Sequence, residues 1–189
     1  MAENQVESDS PSKKKSGTIK LLYLLLIPIL ILATNLVFTL IPNTIKLNED
    51  SRNERVKVLT YQRYGIMPNQ LVIDIWGIDD EASMADVTRT VFNIAERMQN
   101  RNYDWVVLSH KGKAKLKIDG NFFAETGETF EYQNPVYLVR TLPSEVYEMD
   151  GTKAYGTWTG GLLGVVGKQM EDHNKLHEDW YLNDMRYRY

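Results

Sequence analysis

Apolar and polar residues alternate along this chain on three different scales, and each predicts a different element. The first is a continuous run. Leu21 to Ile41, LLYLLLIPILILATNLVFTLI, carries no charged residue over 21 positions. At ~1.5 Å per residue such a helix spans ~31 Å, the thickness of a bilayer hydrocarbon core. It is apolar all round apart from Thr34, Asn35 and Thr39, unlike the single stripe of a helix in a soluble core. Pro28 would break a soluble helix but is tolerated in a membrane one. Asn35 favours a hydrogen-bonding partner, either a second helix or interfacial water. The run is too long for a signal peptide and lacks an A-x-A ending, so an uncleaved signal anchor is expected.

The second scale is helical. Met84, Val87, Val91, Ile94, Ala95 and Met98 recur at three- and four-residue spacing, with Ser83-x-x-Asp86 as a capping box at their start. This predicts a helix ending near Gln99. The third scale is short and extended. Leu71 to Gly77 and Asp104 to Ser109 read as strands. Lys113 to Ile118 alternates strictly, with the lysines on a wet face. Asp119-Gly120 predicts a hairpin turn with NFFA as the return strand. Glu125 to Asn134 reads as loop, Pro135 to Thr141 as a further strand, and Ser144 to Glu148 as a helical turn. Thr159 to about Tyr181 reads as a C-terminal helix broken at Gly167.

The elements predict an α+β fold: one N-terminal transmembrane helix, then one small domain with a mixed, mainly antiparallel sheet and two main helices packed on one face. Residues 1–18 form a disordered cytoplasmic leader, 19–42 the anchor, 43–60 a juxtamembrane stalk and 61–185 the domain. Lys13, Lys14, Lys15 and Lys20 precede the anchor and Lys46, Arg52, Arg55 and Lys57 follow it. The upstream set is the more compact, which places the N-terminus in the cytoplasm and the domain in the periplasm.

Composition narrows the chemistry. There is no cysteine, which excludes thiolate metal sites, disulfides and a cysteine nucleophile. Net charge is −3, and residues 61–189 hold 14 Lys/Arg against 19 Asp/Glu. A mildly acidic domain is a poor fit to a phosphate backbone, so nucleic acid is not an expected partner.

Gly156 to Lys168, GTWTGGLLGVVGK, is the glycine-rich stretch. It lacks the spacing and the hydroxyl of a phosphate loop, and no strand leads into it as a dinucleotide fingerprint requires. Gly160, Gly164 and Gly167 fall on one helical face beside Trp158. Close packing on the domain's own sheet explains such a face, and a partner-binding surface is the functional alternative. His173-x-x-x-His177 puts two imidazoles on one helix face, the spacing of two-histidine metal sites, with Asp172, Glu178 and Asp179 nearby. A charged, solvated helix face accounts for the same letters. Ser109-His110 lacks a nucleophile turn. Asp74 is expected on an edge or a wet face, and its burial would mark a site.

The plan of leader, anchor and small α+β domain resembles inner-membrane scaffold subunits of bacterial secretion and pilus machines, a likeness of layout without diagnostic residues. The expected function is that of a single-pass, membrane-anchored, non-enzymatic protein. Its periplasmic domain binds a protein partner or a second copy, without a cofactor. The alternative is a membrane-tethered metal-dependent hydrolase using His173 and His177.

Overall fold

The structure is a computed structural model that describes residues 15–158 and 162–186. The chain begins with helix α1 (Lys15–Asn35), which passes through Pro28 into a π turn (Leu36–Leu40) and then α2 (Ile41–Asn48). A 3-10 turn (Ser51–Arg55) leads into β1 (Val56–Arg63) and β2 (Met67–Ile78). Helix α3 (Met84–Met98) crosses over to β3 (Trp105–His110), and β4 (Lys113–Asp119) returns beside it. Then come α4 (Gly120–Thr129), α5 (Pro135–Thr141), a 3-10 turn (Leu142–Glu145) and the short β5 (Val146–Glu148). Helix α6 (Leu162–His177), a π turn (Glu178–Leu182) and α7 (Asn183–Arg186) close the described chain.

The five strands lie in sequence order, β1-β2-β3-β4-β5. Only β2 and β3 are parallel, as the α3 crossover between them requires. The other three pairings are antiparallel. The α+β class with a mixed, mainly antiparallel sheet therefore holds. Leu71, Ile73 and Ile75 of β2, Val106 and Leu108 of β3, and Leu116 and Ile118 of β4 form the core with α3, Phe123 of α4 and the C-terminal Leu176, Trp180 and Tyr181. Alternate residues along the same strands, Val72, Asp74 and Trp76 among them, face the other way.

Helix α3 begins as its sequence dictates. Ser83 accepts from the Asp86 amide while Asp86 accepts from the Ser83 amide, so both halves of the capping box form. The chain after β4 departs from expectation. Asp119 does not turn a hairpin. Its carboxylate accepts from the amides of Asn121 and Phe122 and starts α4. Gly120 is needed there because a Cβ would overlap the Tyr103 carbonyl, and Gly127 lets α4 approach the Ala95 carbonyl on α3. NFFA and the stretch read as loop are thus helix, held by tertiary contact that local spacing does not encode. Asp119→Ala is expected to cost about 1 kcal/mol, seen as a lower denaturant midpoint.

Pro135 to Thr141, expected as a strand, is helix α5. Asn134 caps it through the Val136 amide, and Pro135 sits in the first turn, where its missing N–H costs nothing. Ser144 to Glu148 divides between the 3-10 turn and β5 rather than forming one helical turn. Helix α6 runs through Gly167 without a break. Residues 43–60, expected as a stalk, are built into the domain instead. Leu47 is buried in the core, Lys46 bridges Glu96 on α3 at 2.9 Å, and Asn53 links the Leu47 carbonyl to Asn93. Residues 1–14, which hold most of the expected disordered leader, lie outside the described residues.

One helix among the described residues is long and apolar enough to cross a membrane, and it lies near the N-terminus. Its outward residues, Leu24, Ile27 and Leu30 among them, are exposed.

Candidate functional site

The N-terminal helix is fused to the domain through three polar residues that stand out from its apolar surface. Asn35 donates to Gly65 O at 2.8 Å and accepts from the Gln62 amide at 2.7 Å. Thr39 donates to Thr60 O at 3.1 Å, and Thr60 Oγ1 donates back to Thr39 O at 3.2 Å. Asn43 donates to Thr60 Oγ1 at 2.9 Å. All three are buried. They occupy the outer edge of β1, whose backbone groups would otherwise stay open to further pairing. Steps of four residues drift by about 40° each on a regular α-helix. The extra residue taken up by the π turn offsets that drift and keeps the three side chains on one line. The partner that Asn35 calls for is thus the chain's own sheet edge, neither a second helix nor interfacial water.

Two grooves flank this seam. The first, of about 510 Å³, lies between α2 and β1, lined by Leu47, Val56, Val58, Leu59 and Trp76. Leu59 is 41% exposed and Trp76 51%. The Trp76 ring is held in place, because its Nε1 donates to Asp74 Oδ2 at 3.0 Å. The second, of about 490 Å³, lies between α1 and the β1–β2 turn, with Arg101 at its rim.

Asp74 is buried, contrary to the expected wet-face position. It accepts from Tyr61 Oη, Trp76 Nε1 and the Gly112 amide at 3.0–3.1 Å. The positive φ values of Lys111 and Gly112 aim that amide inward. Asp74 therefore ties the β3–β4 turn to β2 and sets the Trp76 ring. Burial and the nearby Asp74 carboxylate push the Tyr61 phenol well above its usual range.

The histidine pair is not on a solvated face. His173 and His177 are 4% and 1% exposed, packed against α3. Their Nε2 atoms stand 3.2 Å apart, and Thr88 Oγ1 lies 3.1 Å from each. Tyr181 Oη is 2.9 Å from His177 Nδ1. Burial drives both imidazoles below their usual range, His177 to about 3. The carboxylates nearby in sequence are engaged elsewhere. Asp172 accepts from Trp158 Nε1, Asp179 from Tyr155 Oη, and Glu178 pairs with Arg186. Among the described residues no group of three or more His, Cys, Asp or Glu converges to hold a metal ion.

Ser109 and His110 are both buried, but neighbours on a strand face opposite sides and cannot act as nucleophile and base. His110 Nδ1 lies 3.0 Å from Asp184, which also takes Lys115 at 2.8 Å. The Ser109 carbonyl accepts from Trp180 Nε1. Both contacts fasten the C-terminal segment to the sheet.

The glycine face is open. A Cβ at Gly164 or Gly167 would meet nothing within 4 Å, so close packing on the sheet does not explain these glycines. Gly160 lies outside the described residues. Trp158 folds back over Gly156 and is tethered by Asp172. The groove at Trp76 and the Asn35–Thr39–Asn43 seam were not legible as sites. The only signal was a four-residue spacing of small polar residues at the end of an apolar run. Comparison with protein-family models, with curated proteins and with solved structures found no match.

Proposed function

We propose that this chain is a single-pass protein of a cell inner membrane, with its N-terminus in the cytoplasm and its α+β domain in the periplasm. It serves as a non-enzymatic assembly subunit whose domain binds a protein partner. The observation that carries this reading is the groove between α2 and β1. An indole fixed by a buried carboxylate and left half exposed beside aliphatic residues has the character of a binding anchor, since little side-chain entropy remains to be lost. The hydrogen-bonded seam adds a mechanical reason. A domain joined rigidly to its membrane helix presents that groove at a set height and angle, which suits assembly beside other membrane subunits. Trp158 and the open face of Gly164 and Gly167 form a secondary contact strip.

A metal-dependent hydrolase on His173 and His177 has less behind it. A hydrolytic metal needs an open position for water, and these rings are sealed between α6 and α3. Site-specific photo-crosslinking of the full chain in its native membrane tests the proposal. A crosslinker at position 76 is expected to give a discrete product that Leu59→Glu abolishes, while one at Lys113 gives none. No product at position 76 in a correctly inserted chain overturns it.

A further inference from the structure

The β1–β2 turn sits at a depth that the membrane reading makes hard to keep in water. The charge-free run of the N-terminal helix begins only after Lys20, and a hydrocarbon core takes ~20 residues, so the helix stays in lipid at least as far as Asn35, the end of α1. Yet the turn lies beside Ile31, four residues inside that end. A Cβ on Gly65 would come within 3.0 Å of Ile31 Cγ2, and Gly65 O accepts from Asn35. Four residues correspond to about 6 Å below the level of Asn35.

The composition of the turn fits that depth. Tyr64 to Pro68, YGIMP, contains no charge. Tyr64 is 71% exposed, Ile66 61%, and Met67 is exposed beside them, adjoining the outward face of α1 at Leu30. Backbone polar groups are costly in lipid unless paired. Here the Gly65 amide donates to Gln62 O, the Ile66 amide to Arg63 O, and Gly65 O is taken by Asn35. Two cations ring the turn on its aqueous side. Arg63 lies 5.0 Å over the Tyr64 ring and Arg101 5.4 Å over the Phe38 ring. Phe38 is seven residues beyond Ile31, about 10 Å higher, which is the level of headgroup phosphates when the turn is among acyl chains.

We propose that the β1–β2 turn is inserted into the bilayer leaflet on the domain's side, as a second apolar contact beside α1, with Arg63 and Arg101 pairing to anionic phospholipid headgroups. The groove between α1 and the turn, lined by Leu30, Ile31, Phe38, Ile66 and Pro68, then takes a lipid acyl chain. The inference rests on the reading of α1 as a membrane anchor, and the test separates the two.

The chain has no cysteine, so single-cysteine variants carry one spin label each. Leu26→Cys, Ile66→Cys and Lys113→Cys are labelled in the full chain. They are reconstituted in vesicles of phosphatidylcholine with phosphatidylglycerol. Collisions with oxygen, which concentrates in lipid, are compared with collisions with a water-soluble nickel chelate. Position 66 is expected to behave as position 26 does, oxygen-rich and several-fold less open to nickel than position 113. Arg63→Gln with Arg101→Gln is expected to move the label at 66 toward water. If 26 is shielded from nickel while 66 is as open as 113, the insertion is wrong and the anchor stands. If 26 is open too, both fall. A label at 66 shielded from both reagents would mean a protein cover and also overturns the proposal.

Discussion

Asn35→Ala is expected to destabilise the domain by about 4 kcal/mol and to release it from its N-terminal helix. The amide makes two bonds to β1 and its turn, to the Gln62 amide and Gly65 O, and a third to Ile31 O. Each lost bond is worth about 1 kcal/mol, and each buried partner left unpaired adds about 1–3 kcal/mol. Two main-chain groups, the Gln62 amide of β1 and the Gly65 carbonyl of the turn, would be stranded. Denaturant unfolding of the full chain in detergent measures the loss, and hydrogen exchange at the Gln62 amide localises it. Thr34→Ala is the control, because Thr34 bonds only within its own helix, to Ile31 O, and a change under about 0.5 kcal/mol is expected there. An Asn35 variant as stable as the Thr34 variant would show that the helix and sheet are not coupled through this amide.

Acidification is expected to loosen the C-terminal helix well before the carboxylates titrate. His173 and His177 are held neutral by burial, the latter down to about 3. In the unfolded chain both take up a proton near pH 6.5. Above that value neither state is charged and the pair has no effect on the pH dependence. Below it the unfolded state binds protons that the folded state refuses, so stability falls as pH falls, by up to about 1.4 kcal/mol per unit for His177, with His173 acting in the same direction. From pH 6.5 to 4.5 His177 alone contributes about 2–3 kcal/mol, a large part of the stability of a small domain. Thr88 and Tyr181 are the groups bonded to the pair, and neither titrates in that window.

The lowered carboxylates act later. Asp86, held near 2 by the Ser83 amide, and Asp184, held near 2 by Lys115 and then His110, contribute stability above about pH 4 that is lost only as pH falls toward 2. Unfolding midpoints measured from pH 7.5 to 4.5 check the prediction. His177→Gln is expected to make the profile shallower. A flat profile down to pH 4.5 would mean that the rings are charged, or open to water, in the native state.

The elements whose stabilising contacts are local were legible. Helix α3 carries its own cap and its own stripe, β2 and β3 show their burial in continuous apolar runs, and β4 in strict alternation. Helices α4 and α5 were read as turn, loop and strand because their reasons are distant. Gly120 and Gly127 matter for the carbonyls of Tyr103 and Ala95 that they allow to come close. Strand β1 went unrecognised across the expected boundary between stalk and domain. Its pattern is mixed, and its outer edge is completed by side chains from a helix 17 to 30 residues earlier. The histidines show the same limit. Their spacing revealed a shared face, but whether that face met water or Thr88 depended on where α6 was laid down.

Sequence alone determined that this chain carries one helix long and apolar enough for a bilayer and an α+β domain, because uncharged length and residue period are properties of the chain itself. Tertiary structure alone decided that the two are one body. Asn35, Thr39 and Asn43 look like blemishes in an apolar run until the edge of β1 is set beside them. Hydrogen bonds across such separations exist only once the fold has brought donor and acceptor together.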